Sequence, residues 1–147
     1  MDARQFLRLA EALNQDVSGR SLLTPALDAA ACRSVTSRAY YAAFHLAHEF
    51  LDRINVVVGQ SPQTHVTVQH ALNNSGDGTL MAVSTALRAL HAERLDADYD
   101  LARPISEHPA HAALMVSYAG NVIDQLDRLT AARPGCRSTR SPRPRPF

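Results

Sequence analysis

The sequence predicts an all-α protein, built as an antiparallel up-and-down bundle of about five helices. Ala and Leu are abundant, and the longest run of β-branched residues is the Val-Val-Val at 56–58, which is too short to favour a sheet. Apolar residues recur at spacings of three and four, the period of an amphipathic helix. The connections are too short for parallel crossovers, so neighbouring helices should run antiparallel.

The first two predicted helices are a short one over about residues 2–14 and a long one over about 25–55. Thr24-Pro25 marks the start of the long helix, because a capping side chain is followed by proline at the first helical position. Their apolar faces are Phe6, Leu9 and Leu13 in the first helix and Tyr40, Phe44, Ala47, Leu51 and Ile54 in the second.

Three further helices are predicted after the long one. Ser61-Pro62 begins a short helix to about residue 74, where a cluster of Asn, Ser, Gly and Asp predicts a turn. The fourth helix covers about 79–97, and Ser106 is expected to cap a fifth that ends near residue 131. The apolar faces of the last two helices are Leu80, Val83, Leu87 and Leu90, and then Met115, Ala119, Val122, Leu126 and Leu129.

Residues 133–147 differ from the rest of the chain. They hold four of the eight Pro and five Arg with no acidic residue, which predicts a disordered basic tail after a helical domain over 1–132. The domain has 10 Arg against 14 acidic residues, a net charge of −4. The overall charge of +1 is therefore the sum of this −4 and the +5 of the tail. Clustered Arg can bind phosphate, or the tail can be a solubilising extension of a chain that has no Lys.

Several features predict a cytoplasmic protein without membrane association. Cys32 and Cys136 are far apart and form no disulfide or zinc framework, which fits a reducing compartment. The first 15 residues carry charges and lack the apolar run of a signal peptide. The longest uncharged stretch, 54–76, is too polar to span a bilayer.

The long helix also carries a polar stripe, spaced 4, 3, 4, 3 and 4 along one line. Its members are Ser34, Arg38, Tyr41, His45, His48 and Asp52. Such a stripe is most simply a solvated face. However, Arg, Tyr and His are groups that bind phosphate and move protons near neutral pH. Arg38, Tyr41 and His45 are therefore candidate site residues.

Arg94 continues the apolar face of the fourth helix, four residues after Leu90. An arginine on a core-facing line must be paired or must open onto a cleft, because burying the charge alone is costly. Asp98 lies four residues further on and can pair with it. The sequence leaves open whether Arg94 forms a structural ion pair or lies in a cleft where it binds an anionic ligand.

Three segments together resemble the HEPN-domain family. Residues 37–45, SRAYYAAFH, are similar to the S-R-A-Y-Y-A-x-F signature of a prokaryotic branch, and Thr64-His65 resembles its downstream T/S-H element. Residues 94–100, RLDADYD, resemble the R-x-x-A-D-Y that closes the fourth helix of that branch. The matching segments agree in order and spacing over about residues 34–100, under half of the chain.

The resemblance implies a small helical bundle that usually dimerises. Many HEPN proteins are metal-independent endoribonucleases with an R-x-x-x-x-H motif in the dimer cleft. Others partner minimal nucleotidyltransferases in toxin–antitoxin pairs, or bind nucleotides or RNA without cutting. By position Arg94 matches the motif arginine, and Tyr99 stands where the histidine would be. Tyrosine, with a pKa of about 10, is a poor base for a ribose 2′-hydroxyl but can donate a hydrogen bond.

We therefore expect an RNA- or nucleotide-directed HEPN protein of a toxin–antitoxin or defence type that forms a homodimer, with endoribonuclease activity as one form of that function. In that form Arg38 and Arg94 hold phosphate, and His45 shuttles a proton. Tyr41 and Tyr99 orient the phosphate, and Asp98 belongs to the binding group through Arg94.

Two alternatives stay open from the sequence. One is a non-catalytic module that binds nucleotide or RNA or docks a nucleotidyltransferase partner, in which Tyr99 would be a modification acceptor. The other is a plain helical interaction domain, in which the polar stripe is only a solvated face.

Two other patterns carry little weight. A literal R-x-x-x-x-H occurs at Arg103–His108, but 15 Arg and 7 His in 147 residues give about 0.7 matches by chance. The pairs His45/His48 and His108/His111 have neither an H-E-x-x-H spacing nor a carboxylate placed to complete a metal site. We predict no metal and no cofactor.

Overall fold

The computed structural model describes residues 2–19, 25–59, 61 and 63–132, and over these ranges the chain is an all-helical bundle without a strand. The all-α prediction is confirmed. A short 3-10 helix, Pro104–Glu107, connects the last two α-helices. The five α-helices are α1 Arg4–Gly19, α2 Pro25–Arg53, α3 Thr64–Asn73, α4 Gly78–Tyr99 and α5 Pro109–Ala132. The predicted tail 133–147 and the start signals at Thr24 and Pro62 lie outside the described residues.

Helix α2 is the centre of the bundle and packs against each of the other helices. Three of the consecutive pairs run antiparallel, as predicted. Phe6 of α1 meets Tyr41 of α2, Ser84 of α4 bonds to the carbonyl of Gln69 in α3, and His111 near the start of α5 contacts Glu93 near the end of α4. Helix α4 also runs antiparallel to α2. Within the described ranges, no helix has the length and apolar character that crossing a membrane requires.

The predicted apolar faces of α2, α4 and α5 form the core. Tyr40 is completely buried although it carries a hydroxyl, and Ile54 and Leu129 are the members that are only partly covered. Burying a Leu, Val or Phe side chain contributes about 1.5–3 kcal/mol, so these faces supply most of the stabilising free energy. Cys32 is a free thiol inside this core.

The apolar face predicted for α1 is partly wrong. Leu9 is 48% exposed, whereas Ala10 is completely buried. The row that faces the core continues through Leu13 to Val17, and this is why α1 extends to Gly19 rather than ending near residue 14. The sequence pattern pointed to the wrong residue because Ala10 is small and weakly hydrophobic, whereas the neighbouring Leu9 is large and apolar but faces solvent.

Two predicted helix starts are also corrected. Helix α3 begins at Thr64 rather than at Ser61, because the Thr64 hydroxyl accepts a hydrogen bond from the Ser61 N–H and closes the turn before the helix. Ser106 is buried in the 3-10 helix and does not cap α5. Instead, the ring nitrogen Nδ1 of His108 accepts a hydrogen bond from the N–H of Ala110 in the first turn of α5.

A buried arginine that sequence analysis missed holds the end of α4. Arg33 of α2 is only 8% exposed, and its guanidinium donates to carbonyls in the last turn of α4 and in the loop that follows. The carbonyl of Asp96 also accepts the N–H of Asp100, but that of Ala97 is among the last carbonyls of the helix, which have no partner within it. Arg33 therefore acts as a C-terminal cap. The acceptors are the carbonyl oxygens of Asp96, Ala97, Asp100, Leu101 and Arg103 at 3.0–3.3 Å, and the carboxylate of Glu107 at 2.9 Å.

We predict that Arg33→Met lowers the free energy of unfolding by about 2–4 kcal/mol, because buried carbonyls and a carboxylate lose a charged donor. Urea unfolding followed by circular dichroism measures this. Arg88→Met is the matched control, since Arg88 is exposed on α4 and its loss should cost less than about 0.5 kcal/mol. Equal midpoints for the two variants would contradict the capping role.

Candidate functional site

Arg94 lies in the penultimate turn of α4, and its side chain is only 14% exposed. Its Nη2 donates a hydrogen bond to the hydroxyl of Tyr41 at 2.8 Å. Its Nε lies 2.7 Å from Oδ2 of Asp98, but the N–H is not aligned with that oxygen, so this contact is a charge pair rather than a directed hydrogen bond. The ion pair predicted from the i, i+4 spacing is therefore present.

Two tyrosine rings flank the Arg94 guanidinium. Its central carbon lies 5.3 Å from the ring centre of Tyr41 and 5.4 Å from that of Tyr99, both within cation–π range. Burial disfavours the charge on Arg94, but Tyr41, Asp98 and Tyr99 outweigh burial and raise the pKa, so the group stays cationic. Tyr99 is 72% exposed, and the arginine therefore sits beside a tyrosine that faces solvent.

Beneath Arg94, three helices bring together a tyrosine and two histidines. The hydroxyl of Tyr40 from α2 lies 2.7 Å from Nδ1 of His65, in the first turn of α3. His91 of α4 stacks on both, with ring centres 5.1 Å from Tyr40 and 5.2 Å from His65. His65 belonged to a predicted motif, but His91 was missed; its position three residues before Arg94 was the available signal.

These histidines are held in the neutral form. Burial, and then the neighbouring His91 and Arg94, lower the pKa of His65, while burial and then Arg94 lower the pKa of His91. Burial, and then Tyr41, raise the pKa of Tyr40, which keeps its proton. Tyr40 and His65 therefore share a hydrogen bond between two neutral groups.

The other candidates on the polar stripe lie on the α1 side of Tyr41. The His45 ring centre is 6.0 Å from Tyr41 and 5.5 Å from Phe6 of α1, and the guanidinium carbon of Arg38 lies 5.9 Å from the Phe6 ring centre. Phe6 was predicted only as a core residue. Among the contacts of the described residues, His45 and Arg38 connect to Arg94 through Tyr41 and Phe6 rather than directly.

The predicted site residues thus form two adjoining groups. The first group lies at the end of α4 and consists of Tyr41, Arg94, Asp98 and Tyr99. The second group consists of Arg38 and His45, which are separated from Arg94 by the rings of Phe6 and Tyr41. Burial, followed by the nearby His48, lowers the pKa of His45, which is exposed.

The remaining polar groups have local structural partners. His48 lies 3.4 Å from the carboxylate of Asp52, and the Ser34 hydroxyl donates to the carbonyl of Ala30. Arg103, of the chance R-x-x-x-x-H match, forms ion pairs with Glu93 and Asp96 of α4. In the described part of the chain, no group of three or more His, Cys, Asp or Glu side chains is arranged to hold a metal ion.

No protein-family model matches the chain, and comparisons with curated proteins and with solved structures found no match. The resemblance to HEPN domains therefore stays a prediction that rests on the sequence motifs.

We predict that the protein loses stability as the pH falls below about 6.5, the ordinary pKa of histidine. The unfolded chain takes up protons there before the folded histidines do, because their pKa values are lowered in the fold. Urea midpoints at pH 7.5 and 5.5 measure the effect. His91→Gln should reduce the difference between the two midpoints, whereas His70→Gln, at an exposed position of α3, should leave it unchanged. An equal difference in wild type and His91→Gln would contradict this assignment.

Proposed function

We propose that the protein is a HEPN-like module that binds the phosphate of RNA or of a nucleotide at Arg94. The observation that carries this proposal is the cationic Arg94 guanidinium, oriented by the Tyr41 hydroxyl and the Asp98 carboxylate beside the exposed ring of Tyr99. Arginine is suited to this role because its planar group binds phosphate through two parallel hydrogen bonds.

The surroundings of Arg94 favour an anion ligand in three ways. The side chain is already ordered by Tyr41, so less conformational entropy is lost on binding. Partial burial lowers the local dielectric and strengthens the attraction to phosphate. The exposed Tyr99 ring offers a surface on which a base can stack.

Binding is better supported at Arg94 than cleavage. The position five residues after Arg94 is occupied by Tyr99 instead of a histidine, and a phenol is a poor base near neutral pH. The histidines near Arg94 are engaged elsewhere: His65 shares a hydrogen bond with Tyr40, and His91 stacks on both rings. We extend the proposal to a homodimer and to a nucleotidyltransferase partner only as the HEPN resemblance implies them.

We predict that Arg94→Ala weakens binding of a fluorescent single-stranded RNA by about tenfold to a hundredfold, the effect of losing a charge-assisted contact. Fluorescence anisotropy at low salt measures the dissociation constant. Arg88→Ala removes the same charge from the exposed face of α4 and should change affinity much less. Equal losses in the two variants would mean that only general electrostatic attraction is present, and the Arg94 site would be wrong.

A second candidate is metal-independent RNA cleavage with His45 as the base. The observation in its favour is that His45 is exposed, stacks against Tyr41 and has a lowered pKa, so that it is neutral and able to accept a proton at pH 7. Arg38 lies across the Phe6 ring on the same side and can hold the scissile phosphate.

We predict for this candidate that RNA cleavage persists with a chelator present and falls about 10²–10⁴-fold in His45→Gln. The rate should rise with pH to a plateau, with the midpoint of the rise below 6.5, because the pKa of His45 is lowered. His70→Gln is the matched control on an exposed surface of α3. Cleavage that is unchanged in His45→Gln, or that the chelator abolishes, would exclude this mechanism.

A further inference from the structure

A cavity of about 560 Å³ opens between the start of α1 and the middle of α2. It is lined by an aromatic ring, an imidazole and two carboxylates, with a small alanine at its edge. The lining residues are Asp2, Ala3, Phe6, His45 and Glu49. The Phe6 and His45 rings stack on each other at 5.5 Å with an angle of 26° between their planes, so one wall of the cavity is aromatic.

This cavity adjoins the Arg94 site. Tyr41 contacts both, since its ring centre lies 5.3 Å from the guanidinium carbon of Arg94 and 6.3 Å from the centre of the Phe6 ring. The two ends differ in their charged groups. The Arg94 guanidinium, paired with Asp98, stands at one end, and the Asp2 and Glu49 carboxylates, the latter paired with Arg53, stand at the other. A phosphate is therefore placed at the Arg94 end, away from the two cavity carboxylates. A nucleotide can therefore lie along this surface in one direction, with its phosphate at Arg94 and its base in the cavity.

We propose that the cavity between α1 and α2 is a nucleobase subsite that selects guanine, and this proposal rests on the phosphate site at Arg94. The Phe6–His45 surface stacks against the base, as aromatic side chains do in proteins that bind single-stranded nucleic acids. The Glu49 carboxylate accepts hydrogen bonds from the edge of the base.

The acceptor-only chemistry of a carboxylate decides which base fits. An ionised carboxylate has two acceptor oxygens and no donor. The Watson–Crick edge of guanine offers two adjacent donors, N1–H and the N2 amino group, which match two carboxylate oxygens. Adenine and cytosine offer an amino group beside an unprotonated ring nitrogen, and uracil offers one N–H between two carbonyls. In each of these the neighbouring acceptor faces the carboxylate and repels it.

Of the two carboxylates, Glu49 is the one free to exchange its partner. Asp2 accepts a hydrogen bond from the backbone N–H of Arg4 and so stabilises the start of α1. Glu49 pairs with Arg53 one turn further along α2, but both side chains of that pair are half exposed, and such surface pairs contribute little. Glu49 also lies one turn after His45, so its carboxylate stands beside the stacking surface.

The first experiment is isothermal titration of the full chain with GMP, AMP, CMP and UMP at pH 7.5. GMP should bind at least about tenfold more tightly than each of the others, the discrimination expected of a bidentate contact. Equal affinity for the four nucleotides would overturn the proposal.

Two variants assign the preference to the Glu49 carboxylate. Glu49→Gln should abolish the preference for GMP while retaining binding of all four nucleotides, because the amide places a donor where guanine also has donors. Arg53→Gln breaks the same ion pair without changing the cavity lining and should keep the preference. Loss of the preference in both variants, or in neither, would overturn the role of Glu49.

The stacking wall and the source of the base are tested separately. Phe6→Leu should weaken binding of every nucleotide by about tenfold or more, with thermal unfolding used to confirm that the bundle is intact. Oligouridine with one central guanosine, compared with free GMP, distinguishes an RNA ligand from a mononucleotide.

If Arg94→Ala weakens all binding but GMP and AMP bind equally, the guanine subsite fails and the phosphate site stands. If Arg94→Ala and Arg88→Ala behave alike, the phosphate site itself fails.

Discussion

The buried guanidinium of Arg33 fixes the point at which α4 ends, and the candidate site depends on that point. Its carbonyl partners include those of Ala97 and Asp100, and these two residues bracket Asp98 and Tyr99 in the last turn. Without a donor there, the end of the helix would fray, since its last carbonyls have no partner within the helix. Arg33 thereby keeps Asp98 and Tyr99 in register with Arg94. The same side chain binds the carboxylate of Glu107 and ties the 3-10 helix to α2.

Helix α2 serves the core and the site with adjacent residues. Tyr40 points into the core and forms a hydrogen bond with His65, whereas Tyr41 lies at the edge and binds Arg94. Because successive residues in a helix are about 100° apart, one short motif can supply both a packed tyrosine and a positioning one. This arrangement makes Tyr41 the common contact of Arg94, of His45 and, through Phe6, of the neighbouring cavity.

Periodicity was sufficient to predict the core-facing rows of α2, α4 and α5, because large apolar residues repeat without interruption. It failed in α1, where the small Ala10 faces the core and the larger Leu9 faces solvent. The Arg94–Asp98 pair followed from helical spacing alone. Arg33 and His91 could not be found in the same way, since their partners come from other helices, and only the packing of those helices brings them together. The link from Arg94 to Phe6 depends on tertiary packing for the same reason.

The central claim is that Arg94 forms a pre-organised phosphate-binding site next to aromatic side chains. The most direct test follows the arginine Nε–H signals by ¹⁵N NMR while inorganic phosphate and then GMP are added at constant ionic strength. The Arg94 signal should shift and saturate with both ligands, with the Arg88 signal as an internal control. Saturation with GMP should occur at a lower concentration than with phosphate, because the base adds its own contacts. If the Arg94 signal does not move, or if it moves no more than that of Arg88, the site is contradicted.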